Sequence, residues 1–369
     1  MEAPTLTDGS VTLRPHRADD VPALVDQCTD PEMQAWTSVP VPFTHTDAED
    51  WVRSRGRAWA DVEGELTFVI EADGELAGQV GLRPDGAGAA EIGYGLGRSA
   101  RGRGVMSAAV RLAVAWAFES LGVVVVHWEA HVGNWGSRRV AWACGFTVEG
   151  KVRGRCAHRG ERRDAWVGSI RVGDAMHPST PWFDVPELRS PTAVLRRHTD
   201  TDPLRVQEAC ADDTSQQWLP DLPSPYTLAD ALDYVEGREE QHSAGLGVYW
   251  AVADPSDDLL LGAIGVMGIG SAPARSGEIG YWTHPDARGR GVMSEAVTLA
   301  ARHALLPADD GGLGLQRVFL RVAAGNESSA RVALKAGFTE VGVDRGAERL
   351  RDGTVTDFRR FDLLASELA

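Results

Sequence analysis

Two sets of residues in this chain are suited to chemistry, and each occurs twice. The first is Arg101-Gly102-Arg103-Gly104-Val105-Met106-Ser107, which returns as Arg288-Gly289-Arg290-Gly291-Val292-Met293-Ser294. Glycines leave the backbone bare, so successive N–H groups can converge on an anion, and a helix that begins there adds the positive end of its dipole. Arg101, Arg103, Arg288 and Arg290 add full charges that suit a pyrophosphate. One copy alone would read equally well as a tight strand-to-helix turn. Recurrence, each time after Glu-Ile-Gly-Tyr, favours an anion site. The spacing is neither Gly-x-Gly-x-x-Gly nor a loop ending in Gly-Lys-Ser/Thr, which disfavours dinucleotides and nucleoside triphosphates.

The second set is Glu91 and Glu278, the first residues of the two Glu-Ile-Gly-Tyr runs. An attacking amine must be neutral, yet α-amino and lysine groups are largely protonated near neutral pH. A carboxylate within one water of the amine can take that proton, so both glutamates are candidate general bases. Each could instead be a solvated strand-end residue or the partner of an arginine.

The elements around these residues are duplicated as well. Val11 to Arg14 matches Ala193 to Arg196, and Trp36 matches Trp218, at an offset of 182 positions. The glycine loops match at 187, and Asn134 and Gly145-Phe146 match Asn326 and Gly337-Phe338 at 192. Two insertions, around Ser271 to Ser276 and Pro307 to Gly314, account for the drift and fall in loop-like sequence. Each half reads as a first strand, helices near 47–60 and 228–241, two strands, the Glu-Ile-Gly-Tyr strand, the glycine loop and a long helix. A strand, a helix ending at the Gly-Phe pair and terminal strands follow. That order predicts an α/β (α+β) fold: two domains, each a mixed sheet with helices on both faces. The domains are expected at 1–172 and 192–369. Residues 173–191, with Pro178, Pro181, Pro186 and Pro191, are expected to form an extended, semi-rigid linker whose Trp182 and Phe183 pack onto a domain.

The Arg-x-x-Gly-x-(Gly/Ala/Met) loop, the preceding Glu-Ile-Gly-Tyr and the later Asn-x-x-Ser…Gly-Phe together resemble the GNAT N-acetyltransferases. Within that family the Met variant followed by Ser resembles the ribosomal-protein N-acetyltransferase branch. The last motif stands as Asn134…Ser137…Gly145-Phe146 and Asn326…Ser329…Gly337-Phe338, so the resemblance covers nearly all of both halves. It implies two tandem GNAT-type domains with mostly antiparallel, V-shaped sheets. It also implies acetyl-CoA, or another acyl-CoA, as donor, with its pyrophosphate on the N–H groups of Arg101 to Ser107 and Arg288 to Ser294. Asn134 and Asn326 fall where the family contacts the pantetheine arm, although Asn-x-x-Ser is also an ordinary helix N-cap. Ser137 and Ser329 fall where a hydroxyl reaches the thioester sulfur. The oxyanion would lie on a backbone N–H just after Glu91 or Glu278. One departure is clear: the tyrosine that many family members place four residues before the Gly-Phe glycine is Ala141 here, and Ala333 in the second half. The second half, with Trp282-Thr283-His284-Pro285 where the first has Gly95-Leu96-Gly97, is closer to the family pattern. Catalysis is therefore expected at Glu278, with Glu91 its counterpart.

A net charge of −16 argues against a nucleic-acid binder, whose phosphate contacts need a basic face, and fits attraction of an amine or basic peptide. No apolar run is long enough to span a membrane, so a cytoplasmic protein is expected. Cys28, Cys144, Cys156 and Cys210 have no metal or disulfide spacing, and Cys28 matches Cys210 as a small core residue. His127 and His131 alternate on a strand without a third ligand, so no metal is expected. The expected activity is acyl transfer to a primary amine of a peptide, amino sugar or small metabolite, by a monomer or homodimer. Longer acyl chains, from CoA or an acyl carrier protein, are an alternative. So is a CoA-binding sensor or scaffold with one or both halves idle.

Overall fold

In the computed structural model, which describes residues 2–61, 64–269 and 275–368, the chain folds into two units, 1–179 and 180–369. The first contains β1 (Leu6–Thr7), β2 (Val11–Arg14), α1 (Val21–Thr29), α2 (Pro31–Trp36), α3 (His45–Asp61), β3 (Leu66–Ala72), β4 (Glu75–Pro84) and β5 (Ala89–Leu96). It continues with α4 (Val105–Ser120), β6 (Val125–His131), α5 (Trp135–Ala143), β7 (Thr147–His158) and β8 (Glu161–Arg171). The second runs β9 (Leu188–Arg189), β10 (Val194–Arg196), α6 (Pro203–Ala211), α7 (Asp213–Trp218), α8 (Leu228–Ser243), β11 (Gly247–Ala253), β12 (Leu260–Met267) and β13 (Ser276–Thr283). Then follow α9 (Val292–Leu305), β14 (Arg317–Ala323), α10 (Glu327–Lys335), β15 (Thr339–Arg349) and β16 (Val355–Leu364).

Among the described residues each unit forms one eight-stranded sheet, ordered β1-β2-β3-β4-β5-β6-β8-β7 and, in the same sense, β9-β10-β11-β12-β13-β14-β16-β15. Neighbouring strands within each sheet are antiparallel; β3 and β4 are joined at Asp73-Gly74, both at positive φ (54° and 79°), as a two-residue hairpin turn requires. The exceptions are the parallel pairs β5–β6 and β13–β14, whose strands are linked by a helical crossover through α4 or α9. These helices bury Val105, Met106, Ala109, Val110, Ala113, Val114 and Ala117, or Val292, Met293, Ala296, Val297, Ala300, Ala301 and Ala304, against the sheet. The three-and-four spacing gives a helical apolar stripe, and its alanines let the helix lie close to the strands. On other sheet strands, α1 and α3 enclose a separate cluster with Leu76, and α6 and α8 enclose one with Ala251 and Leu260.

The segment read as an extended linker is instead divided between the units. Arg111 binds the Met176 carbonyl at 3.0 Å, so the first part packs on α4. Phe183, Val185 and Leu188 pack on the second core, Trp250 donates to the Pro186 carbonyl at 2.9 Å, and Leu188–Arg189 pairs as β9. Proline and apolar residues here serve as edge packing rather than as a spacer. The insertion expected at Ser271 to Ser276 falls mostly outside the described residues.

A buried ion pair fixes the start of each unit. Arg14 grips Asp20 at 2.8 and 2.9 Å, and Arg196 grips Asp202 at 2.9 and 3.0 Å, joining the first long strand to the first helix. Burial by itself would raise the Asp20 carboxyl, but hydrogen bonds from Arg14 and the Arg17 backbone outweigh it and hold it below the usual aspartate range. Asp20→Asn removes two charge-assisted bonds but leaves Arg14 paired with Glu71 at 2.7 Å, so it should destabilise the first unit by about 1.5–3 kcal/mol in denaturant unfolding at pH 7. Because the folded-state carboxyl is depressed, its contribution is full above the unfolded pKa and fades as pH falls through the folded value. Wild type and variant should therefore converge only in acid; an unchanged gap there would contradict the assignment.

Candidate active site

The glycine loops close into the N-termini of α4 and α9. Gly102 and Gly104 have φ of 73° and 79°, and Gly289 and Gly291 have 75° and 83°. Gly104 and Gly291 are the N-cap residues, with no side-chain cap bond. The N–H groups of Val105, Met106 and Ser107, and of Val292 and Met293, are thus first-turn donors of the kind an α-helix leaves without intrahelical partners, whereas Ser294 N–H already donates to the Gly291 carbonyl at 3.1 Å. The side chains of Val105, Met106, Val292 and Met293 are buried in the cores, so these residues offer an anion their backbone alone. A Cβ built at any of the four glycines meets nothing within 4 Å: the space above each loop is open.

The loop arginines divide into two kinds. Arg101 bonds the carboxylates of Asp30 and Glu32 and the Leu96 carbonyl; Arg288 bonds Asp212 at 2.7 Å and Ser215 Oγ at 3.1 Å. Asp30 and Asp212 cap α2 and α7, so these two arginines strap the loop to that helix. Arg103 and Arg290 are about half exposed and pair with Asp73 and Asp254 at the β3–β4 and β11–β12 turns. Exposed pairs of that kind contribute about 0–1 kcal/mol, so these guanidiniums can exchange a carboxylate for a phosphate.

Above the loops the sheet opens. β5 pairs with β6 only over Ala89 to Ile92, and β13 with β14 only over Ser276 to Glu278. Beyond that, β5 stays on β4 while β6 stays on β8, and β13 and β14 part in the same way. Each V is flanked by an Asn-capped helix: Asn134 Oδ1 accepts from Ser137 N at 3.1 Å and Asn326 Oδ1 from Ser329 N at 3.1 Å. The cap is real in both halves, and each asparagine's NH2 points its donors away from the helix bond it caps. The preceding Gly133 and Gly325, both at φ 94°, lie under the indoles of Trp36 and Trp218, at 3.4 and 3.6 Å from an added Cβ. The matched tryptophans are therefore a wall beside the Asn-capped turn.

Ser137 and Ser329 each meet a tyrosine that sequence reasoning quoted but gave no role. Tyr94 Oη donates to the Ser137 carbonyl at 2.9 Å and accepts from its Oγ at 3.2 Å; Tyr281 Oη lies 2.8 Å from Ser329 Oγ. Burial raises both phenols, Tyr281 to about 12, so they stay protonated. The halves differ here. Trp128 Nε1 also donates to Ser137 Oγ at 3.0 Å, whereas Leu320 occupies the matching position in the second half.

The two glutamates sit in different company. Glu91 meets Arg83 through one oxygen at 3.3 Å, on the rim of an open cavity of about 470 Å³. His127, Glu129, Glu149 and Arg155 line the same cavity. Glu278 is held through both oxygens by Arg321, at 2.9 and 3.0 Å. His131 packs edge-on against His158, 5.1 Å between ring centres, and faces Trp36; the described residues contain no group of three or more potential metal ligands.

Arginines at the tips of the last hairpins complete the site. Arg159 Nη2 reaches the Gln34 and Val39 carbonyls at 2.9 and 3.3 Å, and Arg351 reaches those of Gln216 and Pro220 at 3.3 and 3.2 Å. Both latches, and the Asp30 and Asp212 straps, match across the duplication at offsets of 192 and 182. Extending the alignment residue by residue would have found them.

A family model for the acetyltransferase (GNAT) domain matches residues 10–147 and again 193–339. The chain belongs to the GNAT acetyltransferase family, with one domain in each half. It is 35% identical over 113 residues to the Bacillus subtilis protein YdaF, covering 30% of this chain and 59% of that one. It is 27% identical over 172 residues to the uncharacterized N-acetyltransferase p20 of Bacillus licheniformis, covering 45% and 95%. A solved structure of Mycobacterium smegmatis RimJ in complex with CoA-disulfide is 25% identical, covers 46% of this chain and 86% of that one, and has a TM-score of 0.42.

The loop geometry yields a direct test. Gly291→Val forces a branched side chain into left-handed backbone, a conformation costing roughly 1–2 kcal/mol or more, and places carbon beside the first-turn N–H groups. Calorimetry with CoA should show one site weakened by tenfold or more and the other unchanged. Equal affinity at both sites would dissociate the loop from anion binding.

Proposed function

We propose that the chain is an acyl-CoA-dependent N-acetyltransferase that binds one acyl-CoA in each half and acetylates a primary amine, the α-amine of a peptide first among the candidates. The observation that carries this reading is the repeated junction of a bare helix N-terminus with parting strands, closed on its far side by a Glu, a Tyr–Ser pair and an Asn-capped turn. The donor's pyrophosphate fits the first-turn N–H groups, with Arg103 and Arg290 released from their acids onto it. Its pantetheine arm then runs into the V, where unpaired strand edges supply amide partners and the asparagine supplies its NH2.

The reaction that follows is direct attack. The amine surrenders a proton to the glutamate, through one water, and forms the C–N bond at the thioester carbonyl. Backbone N–H groups beyond Ile92 or Ile279, freed by the parting of the strands, hold the oxyanion. The C–S bond then breaks and the electron pair leaves on sulfur, beside the serine and tyrosine hydroxyls. A thiolate is a good leaving group, so their role is hydrogen bonding rather than obligatory proton donation. The peptide preference is supported by YdaF, whose name assigns it provisionally to ribosomal N-acetylation. The wall formed by Trp36 and the Arg159 latch suits an extended terminus entering between α2 and the hairpin tip.

Release of free thiol from acetyl-CoA, measured with a panel of α-amine peptides, polyamines and amino sugars, tests the activity; no amine-dependent release would end this reading. Arg159→Ala should raise KM for the acceptor several-fold and leave CoA affinity unchanged, because the latch touches only the acceptor side. A selective loss of CoA affinity would place the hairpin over the donor instead.

A further inference from the structure

The two halves are not equivalent at the residue that matters most for proton removal. We infer that, given the N-acetyltransferase reading above, turnover resides in the first half at Glu91, while Arg321 silences the second half, which remains a donor-binding domain. This reverses the expectation from motif similarity, which favoured Glu278.

Matched position 129/321 decides the matter. The first half carries Glu129 there and the second carries Arg321, at the offset of 192 shared by the Asn134–Asn326 pair. Arg321 extends from β14 and occupies both oxygens of Glu278, at 2.9 and 3.0 Å. Neither oxygen then faces an incoming ammonium, and the charge that would attract it is neutralised. The same sheet face carries Arg317 on Asp362 at 2.7 Å and Arg360 on Asp344 at 3.5 Å, so its charges close on one another.

In the first half the opposite residue produces the opposite field. Arg155 is bonded to Glu129 at 3.0 Å, and among the described residues Glu91 forms one ion pair, with the exposed Arg83 at 3.3 Å. The cavity is lined by Asp85, Glu91, Glu129 and Glu149 against Arg83 and Arg155, an excess of negative charge that draws in a protonated amine. A carboxylate with one free oxygen at the rim of that cavity is placed to accept the amine's proton.

One observation points the other way. Ser137 Oγ donates to Tyr94 and also accepts from Trp128, whereas Ser329 Oγ shares a hydrogen bond with Tyr281 and has no indole donor beside it among the described residues. The second half is thus better equipped to greet the departing sulfur. Proton removal still decides, because a thiolate leaves unprotonated at neutral pH while an ammonium has no lone pair with which to attack.

The test measures thiol release from acetyl-CoA with a short peptide bearing a free α-amine, in the full chain. Glu91→Gln should lower turnover at least 100-fold at pH 7, recover towards wild type as pH rises and free amine accumulates, and retain two CoA sites by calorimetry. Retention of half the activity would show both halves at work and overturn the proposal, as would an unchanged rate. In the Glu91→Gln background, Arg321→Ala should uncover turnover from the second half; its failure to do so would refute Arg321 as the silencing residue. A wild-type chain inactive on every amine would sink the acetyltransferase reading itself, a separate result from any of these.

Discussion

In each half, one parallel strand pair that holds for only a few residues is the constraint on which the site depends. A sheet otherwise antiparallel takes a crossover through α4 or α9, which lets two neighbouring strands run parallel. Their outer neighbours then pull them apart: β5 stays with β4 and β6 with β8. The resulting gap exposes unpaired backbone amides in a region where they would otherwise require partners. The crossover helix starts at the gap, so its free N–H groups and the free strand edges face the same space. The proposed donor site and the strand topology are therefore one feature of the backbone: the side chains of Val105, Met106, Val292 and Met293 are core residues while their N–H groups lie at the gap.

Charge organises what topology leaves open. Both halves use the same devices: a buried Arg–Asp pair at the start, an arginine strap from the glycine loop to the second helix, and an arginine latch from the hairpin tip. These arginines bind groups that cannot move away, such as N-cap carboxylates and main-chain carbonyls, so they set geometry. Where the halves diverge, at Glu129 against Arg321 and Trp128 against Leu320, the change lies beside the candidate glutamates and serines and leaves the scaffold intact. Duplication permits such divergence because either copy can hold the fold while the other alters its chemistry.

Much of this was legible in the sequence. The duplication could be followed through Val11 to Arg14, Trp36, the glycine loops and Asn134 because insertions fall in loops and leave the elements in phase. The glycine loops marked helix starts because positive φ at Gly104 and Gly291 is a local demand that local sequence reveals. What stayed hidden involves partners distant in sequence. Arg101 reads as a phosphate ligand until the fold brings Asp30 to it, and whether Glu278 is a free base or an arginine's partner is open until β14 brings Arg321 alongside. Tyr94 and Tyr281 were visible as letters of a motif, but their bonds to Ser137 and Ser329 cross from strand to helix. In the Pro-rich segment Phe183 packs on a domain as its apolar ring suggests, but proline signals both a spacer and an edge, and the pairing of Leu188–Arg189 as a strand has no local signal.

The central claim is that parted strands and a bare helix N-terminus form a donor site in both halves. A crystal structure of the full chain with CoA tests it most directly. The account predicts pyrophosphate density on the N–H groups of Gly102 to Met106 and of Gly289 to Met293, with pantetheine between β5 and β6 and between β13 and β14. CoA bound elsewhere, or a pyrophosphate held by side chains away from these loops, would contradict it.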